Sequence, residues 1–128
     1  MNTILLSIKP EYANRILDGT KKFEFRKHLA QGTITRILIY SSSPEKRIVG
    51  EVEVVGTLSM KKTPLWECTK TSAGISRKKF REYFGGCPLA HAYQLGKATK
   101  YDTPKSLADY GIVQAPQSFI YLKNSDNS

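Results

Sequence analysis

Between Arg47 and Met60 the chain alternates with a period of two. Val49, Glu51, Glu53 and Val55 fall on one parity, and Ile48, Val52, Val54 and Leu58 on the other. Successive side chains of a strand point to opposite faces, so this run predicts one unusually long β-strand. Gly50 and Gly56 lie inside it. Glycine within a strand marks a bulge or the tight bend of a barrel corner. A long strand that bends belongs to a small, strongly curved sheet, and this restricts the fold more than any other stretch of the chain.

The remaining elements are short. Thr3 to Ile8 is apolar and β-branched and reads as a first strand. Pro10 stands where a helix places its first residue, Tyr12, Ala13, Ile16 and Leu17 keep helical spacing, and Asp18-Gly19 ends the element. Lys21 to Lys27 and Thr33 to Tyr40 read as strands two and three, and Ser41 to Lys46 as a loop. Thr63-Pro64 reads as a helix cap followed by proline at the first position. Ser76 opens another helix, Arg77 to Phe84, closed by Gly85-Gly86. Ala90 to Ala98 reads as a strand, Ser106 to Tyr110 as a turn or short helix, and Ser118 to Leu122 as the last strand. About six strands with inserted helices predict an α+β domain built on a small β-barrel. A length of 128 residues suits one domain, here residues 1–123, with a polar tail at 124–128 expected to be disordered.

Lys and Arg total 20 against 11 acids, a net charge of +9. Such an excess bears on partners and favours a polyanion: RNA, other nucleic acid or a nucleotide. No apolar run approaches a membrane span, and the start of the chain reads as a strand, so the cytoplasm is the expected compartment. Cys68 and Cys87 form no CxxC pair, and His28 and His91 add no ligand-like spacing. No metal and no cofactor is therefore expected. Both cysteines read as reduced thiols, with Cys68 on the core side of its helix.

Residues Gly19 to Arg26 read Gly-Thr-Lys-Lys-Phe-Glu-Phe-Arg. Phe23 and Phe25 share one strand face, and Lys22, Glu24 and Arg26 the other, with Lys21 at the strand mouth. An acid between bases on one face is either a solvated stripe or the floor of a polar pocket. Gly19, Lys21, Glu24 and Arg26 match the Gly-x-Lys-x-x-Glu-x-Arg signature of the ASCH domains, in the PUA-like superfamily of small β-barrels. Leu6 to Ala13, Tyr40 to Pro44 with Ile48 to Glu51, and Ala115 to Phe119 also resemble that family, in the expected order along nearly the whole chain.

The resemblance implies a cleft between barrel and helices, floored by Lys21, Glu24 and Arg26. Lys9 would enter from strand one, Ser41 and Ser42 from the loop after strand three, and Gln117 and Ser118 from the last strand. Arginine offers a planar fork to phosphate or a base edge, lysine a mobile charge, and Glu24 an acceptor for an exocyclic amine. Plainer roles stand beside these. Glu24 and Arg26 form an ion pair, Lys9 is a solvated cap, Ser41 to Ser43 make a turn, and Gln117 satisfies a buried backbone group. Tyr40, Trp66 and Tyr93 are candidates for base stacking, although a tryptophan at the start of an inserted helix is more often core. Arg77, Lys78 and Arg81 share a helix face that can track a phosphate backbone or simply be solvated.

Three functions follow as expectations. The first is binding of RNA or a nucleotide in the basic cleft, with Arg26→Ala weakening binding and leaving the fold intact. The second is a hydrolase acting on a nucleoside or RNA through Lys21 and Glu24. Some ASCH proteins resemble amidohydrolases of acylated cytidine, whose signature carries Thr where this chain has Glu24; Thr20 does not occupy that position. The third is a protein-interaction module. The sequence leaves the oligomeric state open.

Overall fold

A computed structural model describes residues 2–122, so the tail expected at 124–128 lies outside the described residues. The elements in order are β1 (Asn2–Ile8), α1 (Pro10–Leu17), β2 (Phe23–Arg26), β3 (Ile34–Ser41), β4 (Arg47–Met60), α2 (Lys62–Thr69), α3 (Arg77–Tyr83), β5 (Ala90–Lys105) and β6 (Phe119–Leu122). Short 3-10 turns lie at Lys70–Ser72 and Leu107–Tyr110. The strands form one mixed sheet in the order β2-β5-β4-β3-β1-β6. Among the described residues only the β1–β3 pair is parallel. A parallel pair cannot be joined by a tight hairpin, and α1 with β2 occupies the crossover.

The expected barrel is not closed. β2 and β6 are the two edges of the sheet and do not pair with each other. The amides of Lys21 and Lys22 donate to the carbonyls of Arg15 and Ser72, while the Lys22 carbonyl accepts from the Leu95 amide of β5. β2 begins at Phe23 and not at Lys21, whose amide is turned back to α1. The sheet still curls enough for the Arg26 side chain on β2 to reach the Ser7 carbonyl on β1.

The curl is built where the glycines predict it. Register shifts between β4 and β5 fall at Ile48/Gly50, Val52/Val54 and Val54/Gly56. A Cβ at Gly50 would collide with the Thr99 carbonyl and lie 2.7 Å from Leu17 Cδ2. Glycine is therefore what lets β4, β5 and α1 approach at this point. β5 runs on to Lys105, past the expected end at Ala98, because the second half of β5 pairs with the first half of β4.

Three apolar clusters hold the sheet. Ile4, Leu6, Ile37, Ile39, Val52 and Tyr93 pack against Ala13 and Ile16 of α1. Phe25, Ala90 and Ala92 pack against Leu65, Phe80 and Phe84 of α2 and α3. Leu5, Leu38, Tyr40 and Ile48 meet Tyr101, Leu107 and Tyr110. Among the described residues no helix is long and apolar enough to cross a membrane.

Two local expectations are corrected. α2 starts at Lys62, with Lys61 in the cap position and no side-chain cap bond, so Thr63 and Pro64 lie inside the first turn. Proline is tolerated there because the first helical amides have no intrahelical acceptor. α2 buries Leu65 and Thr69, one turn apart, and Cys68 falls off that stripe and is exposed.

Candidate functional site

The turn after α1 delivers Lys21. Asp18 Oδ1 accepts from the Thr20 amide at 2.9 Å and from Thr20 Oγ1 at 2.7 Å, and Gly19 takes φ +88°. These bonds hold the Asp18 carboxyl below its ordinary range. The Lys21 amide then returns to the Arg15 carbonyl at 2.9 Å, which turns the side chain beneath α1. Lys21 is 3% exposed. Its Nζ donates to the Ala73 carbonyl at 2.7 Å and lies 4.8 Å from the Phe25 ring centroid and 5.3 Å from that of Tyr12. Burial pushes its pKa down to about 8; the Glu24 carboxylate opposes this, and Arg15 and Arg26 add to it.

Glu24 and Arg26 project from the face of β2 opposite Phe23 and Phe25. Arg26 Nε donates to Glu24 Oε2 at 3.0 Å, and Arg26 Nη2 to the Ser7 carbonyl at 2.8 Å. The plainer role expected of these two residues, an ion pair, is therefore present, and it also fastens β2 to β1. α3 supplies the facing wall. Ser76 caps it by accepting from the Lys79 amide at 3.1 Å. Lys79, Glu82 and Tyr83, at helical spacing, line the cleft while Phe80 enters the core. The Tyr83 hydroxyl accepts from the Lys27 amide, and burial raises its pKa.

The result is an open cleft of about 490 Å³. Lys9, Lys21, Arg26 and Lys79 bring four cations to it, against the carboxylates of Glu24 and Glu82. Ile8, Tyr12, Phe25, Ile75 and Tyr83 provide apolar wall. A cleft of this size with convergent polar groups suits one small ligand or one unit of a polymer.

The structure brings Lys9, Lys21, Glu24 and Arg26 together. It does not bring Ser41, Ser42, Gln117 or Ser118 into the lining. Ser41 is buried at the end of β3, and the Ser42 amide is bonded to the Ile8 carbonyl. Gln117 and Ser118 are exposed ahead of β6, although Ser7 Oγ ties that segment to β1 through the Pro116 carbonyl. Tyr40 and Tyr93 are withdrawn from stacking because both rings are buried in the core, and the Tyr93 hydroxyl accepts from the Ala30 amide. Trp66 is half-buried and packs on Phe80 at 5.1 Å between ring centroids. Arg77 and Arg81 flank it on the side of α3 away from the cleft, and Lys78 is exposed.

Sequence reasoning missed Ser7, Tyr12, Lys79, Glu82, Tyr83 and the Ala73–Ile75 loop. The α3 residues carried a signal in their spacing behind the Ser76 cap. The loop carried none. Gly74 takes φ +65°, and a Cβ there would stand 2.5 Å from both Cβ and Cγ of Lys21. Its carbonyl accepts from Arg15 Nη1 at 2.8 Å. Gly74→Ala is expected to cost about 1–3 kcal/mol, from a strained φ and the displaced Lys21 stem. Denaturant unfolding checks this, and a change within about 0.5 kcal/mol, the usual range for surface substitutions, would contradict the close packing.

Comparisons with known proteins place the chain in a family. The family model described as ASCH domain matches residues 6–107. A protein named large ribosomal subunit protein uL22, from Ureaplasma parvum serovar 3, is 33% identical over 126 residues, covering 94% of this chain and 39% of that protein. The chain thus spans well under half of that relative. An ASCH domain-containing ribonuclease from Zymomonas mobilis is 28% identical over 128 residues, covering 95% of this chain and 85% of the relative. The crystal structure of ASCH from Zymomonas mobilis superposes with a TM-score of 0.89 at 27% identity, covering 98% of this chain and 90% of that one. The chain belongs to the ASCH domain family.

Proposed function

We propose that this protein binds RNA, through one nucleotide unit at a time, in the cleft between β1, β2 and α3. The observation that carries the reading is the convergence of Lys9, Lys21, Arg26 and Lys79 on one walled space. Phosphate is held by lysine and arginine, and a base can lie against Tyr12 or Tyr83 with Glu24 as acceptor. The net charge of +9 supports a polyanionic partner. The relative named as a ribonuclease supports RNA as that partner.

Hydrolysis of RNA or of a modified nucleoside in the same cleft is a second reading. It is favoured by Lys21, whose pKa of about 8 lets it exchange a proton near neutral pH beside a carboxylate. Product release lost in Lys21→Met would support it.

The binding test is a titration of labelled single-stranded RNA at low and moderate salt. Lys9→Ala/Lys79→Ala should weaken binding about tenfold or more and flatten the salt dependence by about 0.7 for each phosphate no longer neutralised. Unchanged binding in that variant, with loss in Arg77→Ala/Arg81→Ala, would move the nucleic acid to the Trp66 side of α3. No binding at low salt would remove the polynucleotide reading.

A further inference from the structure

Among the described residues Lys21 is the one buried lysine. It is also one of the residues lining the cleft, and its Nζ is held by the Ala73 carbonyl at 2.7 Å. A lysine kept only to clamp the Ala73 carbonyl would serve equally well outside the cleft. The Phe25 and Tyr12 rings stand about the nitrogen, and Arg26 and Lys79 supply charge for a phosphate elsewhere in the same space.

We propose that Lys21 captures the C1 aldehyde of a base-free pentose phosphate as an imine, whether the sugar is free or part of a strand. The inference rests on the reading of the cleft as a nucleotide site and extends it to covalent chemistry. The Nζ lone pair attacks C1, a C–N bond forms, and the carbonyl electron pair moves to oxygen. Both amine protons finish on that oxygen, which leaves as water and leaves a C=N bond. Glu24, whose charge is felt at Lys21, can relay the proton. The step needs an unprotonated amine. With its pKa pushed to about 8 by burial, about a fifth of Lys21 is neutral at pH 7.4, against about a thousandth of an ordinary lysine.

The test is reductive trapping. The full chain is incubated with borohydride and either a single-stranded oligonucleotide carrying one abasic site or ribose 5-phosphate. The expected result is an adduct that peptide mass mapping places on Lys21, formed faster at pH 8 than at pH 6. Lys21→Met should lower its yield about tenfold or more, while Lys100→Met, on exposed β5 surface, should not. Trapping of the oligonucleotide alone assigns a strand as the source, and trapping of ribose 5-phosphate alone a free sugar; either supports the imine. No adduct, or an adduct spread over other lysines, overturns it. The mapping uses the wild-type chain, so it answers even if Lys21→Met does not fold. Cleft binding of intact RNA without trapping would defeat the imine and leave the binding function standing.

Discussion

Arg26→Ala is expected to destabilise the fold by about 3 kcal/mol and lower Tm by about 10 °C. Sequence alone leaves Arg26 either serving a ligand or paired with Glu24. The structure gives it a second task. Its guanidinium bonds Glu24 at 3.0 Å and the Ser7 carbonyl at 2.8 Å, and so spans the gap between β2 and β1 that backbone pairing leaves open. The Glu24 side chain is 9% exposed. Truncating Arg26 strands that carboxylate and a carbonyl without their donors, and unpaired buried groups cost far more than the pair itself contributes. Arg26→Ala/Glu24→Gln should recover part of the loss by removing the stranded charge. Thermal and denaturant unfolding of the three proteins check this. A loss below about 0.5 kcal/mol in the single variant, no more than an ordinary surface substitution, would show that the bridge does not hold the curl.

The second large effect is a dependence on pH set by Lys21. Its pKa falls from 10.5 when unfolded to about 8 when folded, chiefly through burial. Between those values the unfolded chain binds more protons than the folded one, so stability rises with pH through the window from about 8 to 10.5. Below pH 8 the penalty for the buried charge is present in full. Lys21→Met removes it. The stability of the variant relative to wild type should therefore fall by about 2 kcal/mol between pH 7 and pH 10. The lost bond to the Ala73 carbonyl adds a constant that does not change with pH. Burial raises the pKa of Tyr83, Tyr93 and Tyr101, and these groups lower stability as pH climbs past 10. They are shared by both proteins and cancel in the difference. Urea midpoints at several pH values provide the measurement. A difference that stays flat from pH 7 to 10 would mean that Lys21 is not carried into the fold as a buried ammonium.

Local physics made much of this legible in the sequence. Pro10 and the Asp18-Gly19 stop frame α1, Ser76 caps α3, and Gly50 and Gly56 fall at the bulges of β4. The alternation of Phe23 and Phe25 with Glu24 and Arg26 places the ion pair on one face of β2 and the rings on the other, although Phe25 belongs to both the core and the cleft wall. What stayed hidden depends on contacts distant in sequence. Nothing near Ala73 or Gly74 announces that their carbonyls receive Lys21 and Arg15. Tyr93 carries a ring and a hydroxyl suited to a base, but the β2–β3 connection covers it through Ala30. Ser41, Ser42, Gln117 and Ser118 sit on segments joined to β1, and their side chains nevertheless stay outside the lining. Sheet closure was unreadable for the same reason: six strands fit a closed or an open curl, and the difference lies in whether the distant edges β2 and β6 pair, which they do not.

The cleft as the site of RNA contact is tested most directly by amide chemical shifts. A short single-stranded oligoribonucleotide is added to the isotope-labelled protein, and the perturbed residues are located. Shifts concentrated at Ser7 to Tyr12, Lys21 to Arg26 and Lys79 to Tyr83 are the predicted result. Shifts confined to Lys62, Trp66, Arg77 and Arg81, or spread evenly over the basic surface, would contradict it.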